Sequence, residues 1–287
     1  FPGRSIVLRQ TRRFGKEIYE FSQIIRRGIF DSVEKEYEHT EKFGTVKRYL
    51  NFNEIPFKTS EGTWYILGRV NSTVTELKMA AKDAGLYFSD NKGNKSFDKK
   101  QWNAIKSWTT LSKDKSISRD QAENMYKYIR DLKDFDFRTP KFWQNIPETQ
   151  TFTFKQLKEW AGLDLEDYEQ TRPWWIILKR NFTPNQTQYF IRLLRTYGQK
   201  TIDKDPQIII DTIHSVKGGE ANNVLIYSKT NWPASFSHKT KDEQSDEKRV
   251  YYTGVTRAKN TLHILSTDYK YNYPIGKDYF MYLQEKK

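Results

Sequence analysis

Residues 211–226 read DTIHSVKGGEANNVLI, with Ile208-Ile209-Ile210 leading in and Val224-Leu225-Ile226 closing the stretch. Two short apolar runs around a polar, glycine-containing segment predict strand, loop and strand. In open α/β sheets ligands bind at strand carboxyl ends, so a loop of this kind is expected to face one. Gly218 and Gly219 permit positive φ and close approach of the backbone. A Gly-Gly pair alone is commonly no more than a turn. The order Thr212, His214, Lys217, Gly218, Glu220 is far less common.

A second stretch, residues 247–265, reads EKRVYYTGVTRAKNTLHIL. Together the two resemble motifs V and VI of superfamily 1 helicases of the UvrD/Rep type. The family forms are close to T-h-H-x-x-K-G-x-E and E-x-R-x-x-Y-V-x-h-T-R-A-x, with h apolar. Thr212, His214, Lys217, Gly218 and Glu220 match the first, and Glu247, Arg249, Tyr252, Gly254, Val255, Thr256, Arg257 and Ala258 match the second. Thr253 stands where Val is usual, a same-shape change, and Gly219 stands where an apolar residue is usual, which loosens the turn. The fold implied by the resemblance is α/β: a RecA-like parallel-sheet motor domain, residues 1–87 and 201–287, with a mainly helical inserted accessory subdomain, residues 88–200.

Composition bounds the partners. Of 287 residues, 49 are Lys or Arg against 36 Asp or Glu, a net charge of +13, and 15% are aromatic. A basic surface with aromatics favours a nucleic-acid partner over a merely solvated surface. There are no Cys and only four His, which excludes disulfides and argues against a thiolate or His-rich metal centre. No run reaches the roughly 18 apolar residues of a membrane span, and the N-terminus lacks a signal-peptide pattern. The expected setting is therefore cytoplasmic, nucleoid-associated or phage-encoded, with no membrane partner. The chain opens on Phe-Pro-Gly without Met, so a longer parent is expected.

Ser5 to Leu8 reads as a first strand, followed by a helix with Ile18, Phe21 and Ile25 on one face and Gly28 at its end. Leu8, Gln10 and Arg13 match the family's motif IV, L-x-Q-N-Y-R-S, while Thr11, Arg12 and Phe14 depart from it. With a one-residue shift of register Arg12 takes the place of Arg13. Glu34 to Asn53 reads as a hairpin or bridging loop. Trp64 to Val70 reads as a strand. Thr73-x-x-Glu76 reads as a capping box for a helix through Leu77, Ala80, Ala81 and Ala84. Arg69, Asn71 and Glu76 fit the family's Y-R-T-N-x-x-S-R-x-L-E. From Phe88 to about Lys200 the pattern is helical, with capping boxes at Ser118-x-x-Gln121 and Thr153-x-x-Gln156 and a cap at Thr183 before Pro184. Trp102, Trp143, Trp160, Trp174 and Trp175 invite a base-stacking reading, but aromatics at helical spacing are usually core. Lys229 to Asp246 reads as a polar connection, with Asp246-Glu247 opening a final helix.

The resemblance assigns chemistry residue by residue. Arg257 and Arg13 are the implied catalytic pair, arginine fingers for the γ-phosphate of ATP, where charge stabilisation matters more than a protein nucleophile. Glu220 would accept from the nucleotide sugar and Lys217 and Gly218 would shape a relay loop, with Gln10 and Gly254 completing the nucleotide-facing set. His214, Thr212, Arg69 and Asn71 would meet single-stranded DNA. Plainer readings stand beside these: an Arg257 salt bridge to Glu247 or another carboxylate, a surface Arg at a helix start, a structural His214, polar strand ends.

No G-x-x-x-x-G-K-[ST] occurs, nor an apolar strand ending in Asp-Glu. In the resembling helicases these lie in an N-terminal motor domain, which would hold Mg²⁺ with ATP. The expectation is the C-terminal part of a helicase, probing single-stranded DNA and single/double-strand junctions, working 3′ to 5′ and inactive as an ATPase alone. A stand-alone single-strand binding module, an inactive relic, or the motor part of a helicase-nuclease are the competing readings.

Overall fold

The computed structural model describes residues 10–11, 15–30, 32, 38–39, 44–129, 136–160 and 170–287. The chain falls into two compact units, one of residues 1–96 with 197–287, the other of residues 97–196. In chain order the first unit opens with β1 (Gln10–Thr11), α1 (Lys16–Arg27), β2 (Glu38–His39), β3 (Thr45–Tyr49), β4 (Trp64–Gly68), α2 (Asn71–Asp83) and β5 (Phe88–Ser89). Then come α3 (Lys99–Leu111), β6 (Ile117–Ser118), α4 (Arg119–Tyr126), α5 (Pro140–Gln144), β7 (Thr151–Phe152), α6 (Phe154–Trp160), α7 (Trp174–Ile177) and α8 (Pro184–Ile202). The chain ends with β8 (Ile208–Thr212), β9 (Ala221–Tyr227), α9 (Lys241–Val255), β10 (Ala258–Leu265) and α10 (Ile275–Glu285).

The first unit is built on a six-stranded sheet of order β3-β10-β9-β4-β8-β5. Every pairing in it is parallel. Parallel strands are covered on both faces, which is why Ile208-Ile209-Ile210 and Val224-Leu225-Ile226 are continuous apolar runs rather than alternating ones. Successive side chains still point to opposite faces. Val224 and Ile226 join Ile18, Phe21, Ile25, Tyr251, Val255 and Tyr282 in one core. Leu225 joins Trp64, Ile66, Leu77, Ala81 and Ile210 in the other. Helices α1, α9 and α10 thus cover one face and α2 the other, the α/β architecture implied by the sequence.

Several local expectations change. β3 is not half of a hairpin: it runs parallel to β10, Thr45 opposite Thr261. The helix after β4 starts at Asn71, and Thr73, as its third residue, both donates to the Val70 carbonyl (2.8 Å) and accepts from the Val70 N–H (3.4 Å). Glu76 leaves the capping role and pairs with Lys229 at 2.8 Å. Phe88 and Ser89, expected in the insertion, form the edge strand beside β8. α9 begins five residues before Asp246, capped by Thr240 with Glu243 reaching back to the Thr240 N–H (2.8 Å). It is also not the last helix, because α10 follows and sets Tyr282 edge-on to Phe21 at 5.9 Å. The strand expected at Ser5 to Leu8 lies outside the described residues.

Among the described residues, the second unit is built of helices and the antiparallel pair β6 and β7. Its caps are those the sequence shows: Ser118 with Gln121, Thr153 with Gln156, and Thr183 with Gln186. Three of the tryptophans named above are core residues: Trp102 is 4% exposed, Trp143 1% and Trp174 5%. The Trp160 side chain lies outside the described residues, and Trp175 is exposed. α8 is broken at Gly198, whose φ of 68° suits glycine.

Candidate functional site

All six strands of the sheet run the same way, so it has one amino edge and one carboxyl edge. The segment 213–220 leaves β8 at the carboxyl edge and enters β9 at the amino edge. β4 lies between these two strands. With five residues in β4, the edges are about 16 Å apart. The loop expected at the strand ends therefore spans the sheet, and only its His214 end sits at the carboxyl edge.

At the carboxyl edge, Arg69 follows β4 and its guanidinium grips Glu247 of α9 through two parallel bonds, Nε to Oε2 at 2.7 Å and Nη2 to Oε1 at 2.8 Å. Lys239 reaches the same carboxylate at 3.0 Å. Glu247 is 3% exposed. Burial opposes its ionisation, but the hydrogen bonds from Arg69 and Lys239 outweigh that and hold the carboxyl below the usual range. His214 is exposed nearby. Partial burial, Arg69 and Lys217 lower its pKa against a smaller opposing pull from Glu247, so the ring stays neutral at physiological pH. Thr212 turns the chain here: its hydroxyl accepts from the Ser215 N–H at 3.3 Å, and its carbonyl accepts from the Ser215 hydroxyl at 2.8 Å. Asn91, beyond β5, braces the turn by donating to the Ser215 carbonyl at 2.8 Å and, through its backbone N–H, to Asp211 at 3.1 Å. Asn71 is exposed at the first turn of α2.

At the amino edge, Gly218 takes φ 92°, and a side chain on Gly219 would collide with the Tyr65 hydroxyl. Arg257, just past α9, is 8% exposed. It donates to the Thr253 carbonyl at 2.9 Å, the Gly219 carbonyl at 3.2 Å and the Thr256 hydroxyl at 3.3 Å. It ties the end of α9 to the glycine turn, while the Glu247 carboxylate is engaged by Arg69 and Lys239. Glu220 lies 3.5 Å from Lys259, both partly exposed. Lys217 is exposed.

One assignment reads differently here. Gly254, expected to face the nucleotide, is buried against the sheet, where an added Cβ would sit 3.1 Å from Ile226 and 3.2 Å from Ile213. Its visible role is close helix–sheet packing. Arg12, Arg13 and the Gln10 side chain lie outside the described residues. Sequence reasoning missed the pairing of Arg69, Lys239 and Glu247 and the brace from Asn91; no local spacing signals contacts between segments so far apart. Among the described residues no cluster of His, Asp and Glu could hold a metal, and no helix is long and apolar enough to cross a membrane.

The model of the UvrD-like helicase C-terminal domain family matches residues 6–269, reaching across both units. A search of curated proteins returns no match. The stretches that build the two edges, 212–220 and 247–258, both fall inside the matched span, and the parallel α/β sheet is the architecture such a domain requires. The chain belongs to the UvrD-like helicase C-terminal domain family.

Proposed function

We propose that this helicase domain is the C-terminal motor part of an ATP-dependent DNA helicase translocating 3′ to 5′, with a strand-facing carboxyl edge and a nucleotide-facing amino edge. The observation that supports it is the course of residues 213–220, which carry His214 near one edge and Glu220 to the other in a single connection. A neutral His214 and Asn71 offer hydrogen-bonding groups to a phosphodiester backbone, backed by the local excess of cations. Such contacts position a strand without reading its sequence.

ATP with Mg²⁺ would be held mainly by an N-terminal motor domain of the same parent, the metal by that domain alone. The fit on this chain is partial. Lys217 and Glu220 are exposed and chemically suited to a phosphate and a sugar hydroxyl. Gly254 is walled off by Ile213 and Ile226. Arg257 must release the Gly219 and Thr253 carbonyls to meet a phosphate, so as a finger it acts only when the domains close on nucleotide. Arg13, with Gln10, is the second candidate. Single/double-strand junctions are the natural substrate of such a motor.

Binding of a fluorescent single-stranded oligonucleotide to the chain, followed across salt concentration, tests the strand-facing edge. Affinity should fall with a log–log slope of about −0.7 per phosphate contacted. A flat salt response, or no binding, removes this reading.

A further inference from the structure

Arg69 is assigned to the strand by resemblance, yet its planar fork is already taken. We propose that Glu247 is the positioning residue of the strand-facing edge, and that Arg69 acts through it rather than on a strand phosphate. The inference rests on the strand-binding reading of that edge. Nε and Nη2 engage both carboxylate oxygens at 2.7 and 2.8 Å, the strongest geometry a guanidinium makes with a carboxylate. The Arg69 side chain is 20% exposed and that of Glu247 3%. Stripping a partner from a buried carboxylate is costly, which favours a pair that stays made. Lys239 adds a second cation to the same carboxylate, so the connection before α9, α9 itself and the end of β4 meet at one point. The next turn of α9 reinforces it: Tyr251 is fully buried and stacks on Tyr273 at 3.9 Å, leaving little room for Glu247 to shift. His214 and Asn71 are then the groups that face a strand, and the ion pair fixes where they stand. Because Arg257 follows the same helix, anchoring α9 at the carboxyl edge also sets the Arg257 contact with Gly219 at the other.

The test compares Arg69→Met, Glu247→Leu and the double variant, an apolar pair that conserves net charge, for oligonucleotide affinity and salt slope, at a temperature where circular dichroism shows each folded. Each single variant should bind about tenfold more weakly, because Arg69→Met strips the buried carboxylate of its two-bond partner and leaves it to Lys239 alone, and Glu247→Leu takes the carboxylate from both cations. The double variant should recover affinity with the wild-type salt slope. A double variant that stays weak and loses about 0.7 from the slope shows Arg69 on a phosphate and overturns the proposal. Folded single variants with full affinity also overturn it, by making the pair merely structural. If the double variant does not fold, the Arg69 Nε–H resonance of the wild-type chain decides: unchanged on adding oligonucleotide under the proposal, displaced if the strand takes the fork. Failure of the wild-type chain to bind at all is a different result, and defeats the strand-binding reading itself.

Discussion

His263 is 1% exposed on β10, its ring 4.7 Å from Trp64 and 5.6 Å from Tyr49. Burial, helped by Lys47, lowers its pKa to about 4. The folded chain therefore keeps this ring neutral, whereas the unfolded chain takes up a proton near the ordinary value of about 6.5. Between those two values acid favours the unfolded state, so stability falls as pH drops through that window, by about 3 kcal/mol for this group. His263→Phe should flatten the dependence of the urea midpoint on pH between about 6.5 and 4; an unchanged slope would show that His263 does not carry the effect. At this scale the sequence is only partly legible. The identities of Thr212, His214, Lys217, Glu220 and Arg257 are readable because they sit in short ordered runs. The partner of Arg69 is not, because Glu247 lies 178 residues away and the bond exists only once β4 and α9 are packed together.

Elements were legible where local chemistry decides them. β4, β8, β9 and β10 announce themselves as apolar runs, Ser118 and Thr153 as caps with Gln three residues on, and Thr183 as a cap before Pro184. The start of α9 was hidden because residues 241–246 are polar and carry no periodic apolar face, although Thr240 and Glu243 form a capping box. β3 was missed because its pairing with β10 is non-local. α10 was missed too, and its docking gives a titratable contact. Asp278 hydrogen-bonds Tyr273 beneath α10, and burial pushes its carboxyl up to about 6 against the opposing effects of Tyr273, Lys248 and Lys277. The folded state holds this proton more tightly than the unfolded chain, whose value is about 3.9. Stability from this group is thus present in acid and lost as pH rises through about 6. Asp278→Asn should raise the thermal midpoint at pH 7.5 and leave it unchanged below about pH 4. An equal effect at both pH values would assign the change to packing instead.

At the scale of the whole molecule, the parallel sheet separates the two edges proposed to face strand and nucleotide by the length of a strand, and the 213–220 connection on one side and α9 on the other join them. Glu247 and its cations stand ten residues before Arg257, about 15 Å along the helix axis, enough to reach from one edge to the other. A loop and a helix that both touch the two edges are the parts a motor needs if strand and nucleotide are to sense each other. The sequence shows the motifs but not this division, since the edge a residue occupies depends on strand order and direction. In the proposed function Arg257 serves a nucleotide completed by another domain. The most direct measurement is single-strand-stimulated ATP hydrolysis, by this chain alone and by the chain joined to a P-loop-bearing motor domain. The expected result is silence alone, turnover in the joined form, and a loss of about 10³ or more on Arg257→Ala with strand binding kept. Turnover by this chain alone, or a joined form indifferent to Arg257→Ala, would contradict it.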